Sequence, residues 1–356
     1  MTEAIKVLNL YAANNSGSLT PLVIDVNNTS PILDNPSKYN ISVRKIVIDL
    51  NTIPLLVQDG PDDEQRAVCV IYRPKNGELC YEREPIRWLP HSYDQKTDKY
   101  SYDQYSYEGI LQAVNEAYKR AFSRLNANPM KFHPPVFTLS TKVSGIQVTL
   151  DSCIIDAINN GNTKTFPDLP DSGEALYIGV CNGMNSWFNG FHNFYVGGIT
   201  DKAYPLDLNN ILRFSITPMA VETQTILQSK SSLDSINGTT NVIITSTLPV
   251  TGELLPKISV GNESISTESI FNGANIILSE FSIGSRSLDT NLIECMPDRN
   301  YRALKYTVPL TNFQIMVYFL NKGNPGGERI VREVYLDGDA FFNLKLKFEL
   351  ISKKAN

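Results

Sequence analysis

The segment FFNLKLKFELISKK, residues 341–354, constrains the fold of this chain more than any other stretch. Phe342, Leu344, Leu346, Phe348 and Leu350 alternate with Asn343, Lys345, Lys347 and Glu349. A period of two separates an apolar face from a polar face only in an extended backbone, because a helix would scatter both sets around its surface. The segment is therefore read as a strand whose apolar side needs a second layer to cover it. Its lysines have two readings: a basic strip that touches nucleic acid, or the wet side of a strand whose other side is buried.

Similar runs fill the rest of the chain. IKVLNLY (5–11), PLVIDV (21–26), ISVRKIVIDL (41–50), AVCVIYR (67–73), VFTLS (136–140) and SGIQVTL (144–150) are β-branched or alternating and end at Asn, Pro, Gly or Asp. ALYIGV (175–180), LRFSI (212–216), VIITSTL (242–248), NIILSEF (275–281), YRALKYTV (301–308), FQIMVYFL (313–320) and RIVREVYL (329–336) continue the series. About fourteen strands bounded by turn signals predict packed antiparallel sandwiches, and not a parallel sheet alternating with helices.

One helix interrupts them. In SYEGILQAVNEAYKRAFSRL, residues 106–125, Tyr107, Ile110, Leu111, Val114, Tyr118, Ala121, Phe122 and Leu125 recur at spacings of three and four, with Ser106 placed as N-cap. Glu108 comes early and Lys119, Arg120 and Arg124 late, as the helix dipole favours. The spacing predicts an amphipathic helix covering one edge of a sandwich. MNSWFNGF (184–191) is a shorter candidate whose aromatics would plug a sandwich end. The polar, turn-rich stretch KSSLDSINGTT (230–240) marks a domain boundary, so the expected division is residues 1–229, a β-sandwich carrying the helix, and 230–356, a second β-sandwich.

Charge and cysteine content narrow the function classes. Lys and Arg number 32 against 37 Asp and Glu, a formal charge of -5. A protein that works by neutralising phosphates carries a basic excess or a basic arm, and this chain has neither, so direct nucleic-acid binding is not expected. With 42% hydrophobic and 19% charged residues the chain is globular. No segment approaches a membrane span and no leader pattern is seen, which predicts a soluble protein made in a cytosol-like compartment. Cys69, Cys80, Cys153, Cys181 and Cys295 are odd in number and spread out, which reads as reduced packing residues.

Catalytic chemistry has little to stand on. His91, His133 and His192 are the only histidines, and none lies beside a nucleophile motif. His133 precedes Pro134 and Pro135 and reads as an extended loop. The acidic run QDGPDDEQ (58–65) lacks the spaced ligands of a calcium loop and reads as a solvated turn. GNPGGE (323–328) lies between two strands without the Lys-Ser/Thr of a phosphate loop and reads as a hairpin. A paired-carboxylate hydrolase stays open, because sequence spacing does not report carboxylate separation. The residues predict no catalytic group, no cofactor and no metal.

Surface chemistry is more plentiful. SYDQKTDKYSYDQYSYEG (92–109) carries Tyr93, Tyr100, Tyr102 and Tyr105 among charges. Tyrosine offers a large amphipathic contact area with little rotamer entropy to lose, so these four are candidate interface residues. An aromatic platform for carbohydrate is the rival reading.

Several segments together carry a family resemblance. TSTLPVTGELL (245–255), NIILSEF (275–281), YRALKYTVPLTNFQIMVYFLNKGNPGG (301–327) and LDGDAFFNLKLKFEL (336–350) resemble the closing part of jelly-roll capsid proteins, the minor or penton capsid proteins of virophages and Polinton-like DNA elements. The helix at 106–125, the Pro-Pro before VFTLS, and SWFNGF fit the same order. The resemblance implies an all-β antiparallel viral jelly roll and a structural, non-enzymatic role in a virion capsid assembled inside the host cell. It further implies a homopentamer at the fivefold vertex, in contact with major capsid proteins. Strands enough for two sandwiches leave a second possibility open, a compact double-jelly-roll major capsid protein forming trimers; a carbohydrate- or receptor-binding β-sandwich is the third. The missing basic arm suits a shell protein that does not meet the genome.

Overall fold

The alternation at the end of the chain is realised as the ten-residue strand Phe341–Leu350. In the computed structural model, which describes residues 5–14, 20–58, 60–75, 77–78, 80–94, 99–125, 132–140, 142, 145–162, 174–195, 210–216, 222–250, 276–283, 292–296, 301–322, 330–336 and 340–351, Phe342, Leu344, Leu346 and Phe348 are wholly buried. Lys345 is exposed, and Leu350 at the strand end is half-buried. Both edges of this strand are used. Ile5–Ala13 pairs antiparallel along one side and Tyr39–Asp49 along the other. Leu292–Cys295 then pairs with the far edge of Tyr39–Asp49.

A second sheet is centred on Asn312–Asn321, which buries Phe313, Ile315, Val317 and Phe319 on one face. Thr239–Ser246 pairs along one edge and carries Ile276–Ser282 beyond it. Val23–Asn27 and the short strand Ile330–Glu333 share the other edge. The strands beginning at residues 5, 23, 39, 239, 276, 292, 312 and 341 therefore fall into the first sheet as first, eighth, third and sixth. The second, seventh, fourth and fifth make up the other. Early and late strands interleave in both sheets, which is the double Greek-key order of a jelly roll.

The chain divides into two units, and the division differs from a cut at 229/230. One unit comprises Met1–Pro54, Gly238–Gly323 and Gly327–Asn356; the other comprises Leu55–Asn237 with Asn324–Gly326. Residues 5–49 were expected in the N-terminal sandwich, yet they share sheets with 239–350. The physical reason is that antiparallel partners are selected by matching faces in space, and nothing local in IKVLNLY points to a partner more than 300 residues away. The passage from Asn237 to Gly238 lies within the polar 230–240 stretch. Thr239 Oγ1 donates to the Pro54 carbonyl at 2.6 Å, so the jelly roll is left and re-entered at neighbouring points.

The inserted unit has its own core. A five-stranded sheet runs Asn193–Tyr195, Asn210–Leu212, Ala175–Val180, Asp62–Arg73, Cys80–Arg87, and a three-stranded sheet runs Thr223–Leu227, Gly145–Asp151, Val136–Ser140. Helix α1, Tyr107–Arg124, starts where predicted: Ser106 Oγ accepts from the Gly109 N–H at 3.1 Å. Its apolar stripe is buried against Asp62–Arg73, Cys80–Arg87 and Val136–Ser140. Tyr118 donates its hydroxyl to the Gly179 carbonyl at 2.9 Å, and Glu84, fully buried, is held by Arg120 at 3.1 Å and by Arg124 one turn later. MNSWFNGF contains the short helix Asn185–Phe188, and Trp187, Phe188 and Phe191 enter this core. A second helix, α2, Ser152–Asn162, was not foreseen and packs on Ala175–Val180. YRALKYTV forms a strand only at Arg302–Ala303, and LRFSI only at its first residue.

Candidate assembly surfaces

The polar groups with reaction-centre chemistry serve structure or stand apart. His133 is exposed, 3.9 Å from the Asp151 carboxylate, and His91 lies against Tyr105 with ring centroids 4.3 Å apart and the planes tilted by 32°. Among the described residues no three His, Cys, Asp or Glu side chains converge to hold a metal ion. In the acidic run Asp62, at the start of a strand, is solvated, but Asp63 is not. Asp63 is buried at a bulge, paired with Arg66 at 2.6 Å, and accepts from the Gln65 and Arg66 N–H groups and from Trp88 Nε1. The Arg66 guanidinium in turn lies 5.3 Å from the Trp187 ring centroid. Asp59 and GNPGGE lie outside the described residues. Cys69, Cys80, Cys181 and Cys295 are free thiols, and burial pushes Cys69 well above the ordinary range of a thiol. The Cys153 side chain lies outside the described set.

The predicted interface tyrosines sort into different environments. Ser92–Asp94 and Lys99–Ser101 form a hairpin that sets Tyr93 opposite Tyr100. Tyr100 is 58% exposed. Tyr105 leans on His91, and Tyr102 is half-buried against the core of the inserted unit. Tyr100 is thus the side chain among them that faces solvent, while Tyr102 serves packing; the Tyr93 side chain lies outside the described set.

The jelly roll presents a surface that sequence reading missed. Thirteen large hydrophobic side chains are exposed among the described residues, and seven of them lie on or next to the sheet of the closing strand. Ile5, Val7 and Tyr11 form a row along its edge strand, 48%, 49% and 63% exposed. Soluble surfaces scatter such residues singly, and their concentration on one sheet sets this face apart from the rest of the described surface. IKVLNLY is apolar on both faces, which was the available signal; alternation alone does not say which face meets a partner.

The charges beside that row are mostly matched. Lys45 meets Glu294 at 2.8 Å and Lys347 meets Glu349 at 2.9 Å. Arg44 donates to the Tyr301 hydroxyl at 3.3 Å and lies over its ring. The Lys347 hydrogen bond, helped by Tyr301 and Arg44, holds the Glu349 carboxyl below its usual range. On the opposite sheet, Asp25 sits at the mouth of a recess of about 410 Å³, lined also by Asn27, Thr247, Tyr306, Asn312 and Gln314. A second groove, about 380 Å³, runs between α1 and Val136–Ser140, where the Asn115 side-chain amide bonds both the N–H and the C=O of Phe137 at 2.8 Å. That amide occupies the edge as a neighbouring strand would.

An antiparallel jelly roll with an inserted unit and an exposed apolar row along one sheet edge thus stands without a reaction centre among the described residues. The profile of the family described as Sputnik minor capsid protein V18/19 matches residues 4–349. The chain belongs to that family. As a minor capsid protein it is a structural component of a virion capsid, and not an enzyme. Two solved structures share its fold. The mavirus penton protein aligns with a TM-score of 0.63 at 18% identity, over 98% of this chain and 99% of that one. A chain of the Sputnik virophage particle aligns at 0.66 and 18%, over 97% and 98%. No curated protein sequence matches the chain.

Proposed function

We propose that this minor capsid protein is the vertex capsomer, or penton, of an icosahedral virophage-like DNA virus. Five copies close into a ring around the fivefold axis and bind neighbouring major capsid proteins at its rim. The observation that carries the reading is the row Ile5, Val7 and Tyr11 on an outer sheet face of a jelly roll, a surface suited to burial against another subunit. The shared fold of the mavirus penton protein supports the same assignment. Weighing against a double-jelly-roll trimer, the described strands form one jelly-roll set, while the inserted unit pairs sheets of five and three strands with two long helices, α1 and α2, and two single-turn ones.

The Tyr93/Tyr100 hairpin is assigned to or near a subunit contact, and no nucleic-acid contact is assigned to the closing strand. Light scattering on the purified full chain tests both oligomer and hairpin. Five 39.7 kDa chains give about 199 kDa, and Tyr100→Ser should weaken that species at low concentration without changing the melting temperature. A trimer of about 119 kDa would favour the major-capsid reading. A Tyr100→Ser oligomer that resists dilution like the parent would remove the hairpin from the contact.

A further inference from the structure

On the outer face of the closing strand, Lys345 is the odd charge. It stands directly opposite Lys45 on the neighbouring strand, an arrangement that antiparallel pairs disfavour. Lys45 has Glu294 and Lys347 has Glu349, whereas Lys345 is exposed with no acidic partner among the described residues. Asn9 faces it from the edge strand, in line with Val7 and Tyr11. The face therefore offers an unspent cation beside an apolar row.

The other sheet offers the complement. Asp25 is exposed, accepts from Gln314 Nε2 at 2.8 Å, and is the sole charged residue lining the 410 Å³ recess. No cation meets it among the described residues. The centre of that sheet's outer face is buried at Ile243, Tyr318 and Val331, and the recess beside Asp25 is an open concavity at its margin.

We infer that the Lys345 face of one copy docks on the Asp25 recess of a second copy. The two patches lie on different sheets of one sandwich, so the contact is heterologous: each copy uses one patch on each neighbour. Repetition of such a contact by rotation closes a ring. This contact rests on the penton reading for its copy number but not for its chemistry.

The test is a charge exchange in the full chain, followed by light scattering over a dilution series. Lys345→Glu and Asp25→Lys should each move dissociation to about tenfold higher concentration or more, since each places like charges across the contact. The double variant should return to within about threefold of the parent, because the pair is restored in reverse. Both positions are exposed, so neither variant should lower the melting temperature, and Lys345→Glu, which removes the like charge opposite Lys45, should raise it slightly. As a second readout, Lys345→Cys chains mixed with Asp25→Cys chains should give disulfide-linked dimers that neither gives alone. A parental pentamer whose single variants dissociate like the parent and whose cysteine mixture stays uncrosslinked would overturn the contact and leave the penton reading standing. A parental ring of another size in which the exchange still compensates would do the reverse, and a chain that stays monomeric would overturn both.

Discussion

Individual charges in this chain are intelligible from their surroundings more than from their neighbours in sequence. DDEQR reads as a solvated acidic turn, yet Asp63 is the buried anchor for Arg66 and Trp88; a bulge in Asp62–Arg73 turns it inward, and no local residue announces a bulge. Glu333 behaves similarly. It faces Tyr318 across the sheet, and burial raises its carboxyl above the ordinary 4.5, against a weaker pull from the Tyr335 hydroxyl. Burial also pushes Tyr318 up to about 12, with Glu333 adding to the shift. Because the folded chain holds the Glu333 proton more tightly than the unfolded chain, this group's stabilising contribution is complete below pH 4.5. It is lost as pH rises through the raised folded value. Glu333→Gln should therefore melt about a degree or two higher than the parent at pH 7 and level with it near pH 4, as read by calorimetry. A variant that melts lower at pH 7 would show the charged form to be favoured in the fold.

At the level of elements, legibility follows periodicity. The closing strand and α1 were plain because each keeps one apolar face through its whole length, ten and eighteen residues. CYEREPIR was not, since its charges and Pro85 hide the single inward Ile86, and its Glu84 is buried through Arg120 and Arg124 on another element. Helix α2 was missed because the β-branched Ile154 and Ile155 in its first turn follow closely on the strand Gly145–Asp151. The closing strand permits a two-sided test. Leu346 is wholly buried between Leu8 and Val43, so Leu346→Ala should cost about 2–5 kcal/mol in denaturant unfolding and Leu346→Asp should prevent the jelly roll from forming. Lys347→Ser loses one ion pair with Glu349 and should cost under about 1 kcal/mol. The opposite ranking would mean that the faces are assigned the wrong way round.

At the scale of the whole molecule, the architecture was legible as a class and illegible as a partition. Alternating strands bounded by turns point to antiparallel sandwiches, but which strands pair depends on contacts such as Ile5 with Glu349 that no local pattern encodes. The jelly roll draws every described strand of its two sheets from outside Leu55–Asn237, and Pro54 and Thr239 meet through a hydrogen bond. Replacing residues 55–237 by a short Gly/Ser linker should therefore leave a β-rich protein with a cooperative thermal transition by circular dichroism. Loss of that transition would show that the jelly roll depends on the inserted unit to fold. Of the two candidate surfaces, the tyrosine-rich hairpin stood out by composition, while the row on Ile5–Ala13 became apparent only once the face of Leu8 and Leu10 was seen to turn inward. The most direct test of the account is single-particle imaging of the purified full-length oligomer. The account predicts rings with fivefold symmetry, and threefold particles or lone subunits at micromolar concentration would contradict it.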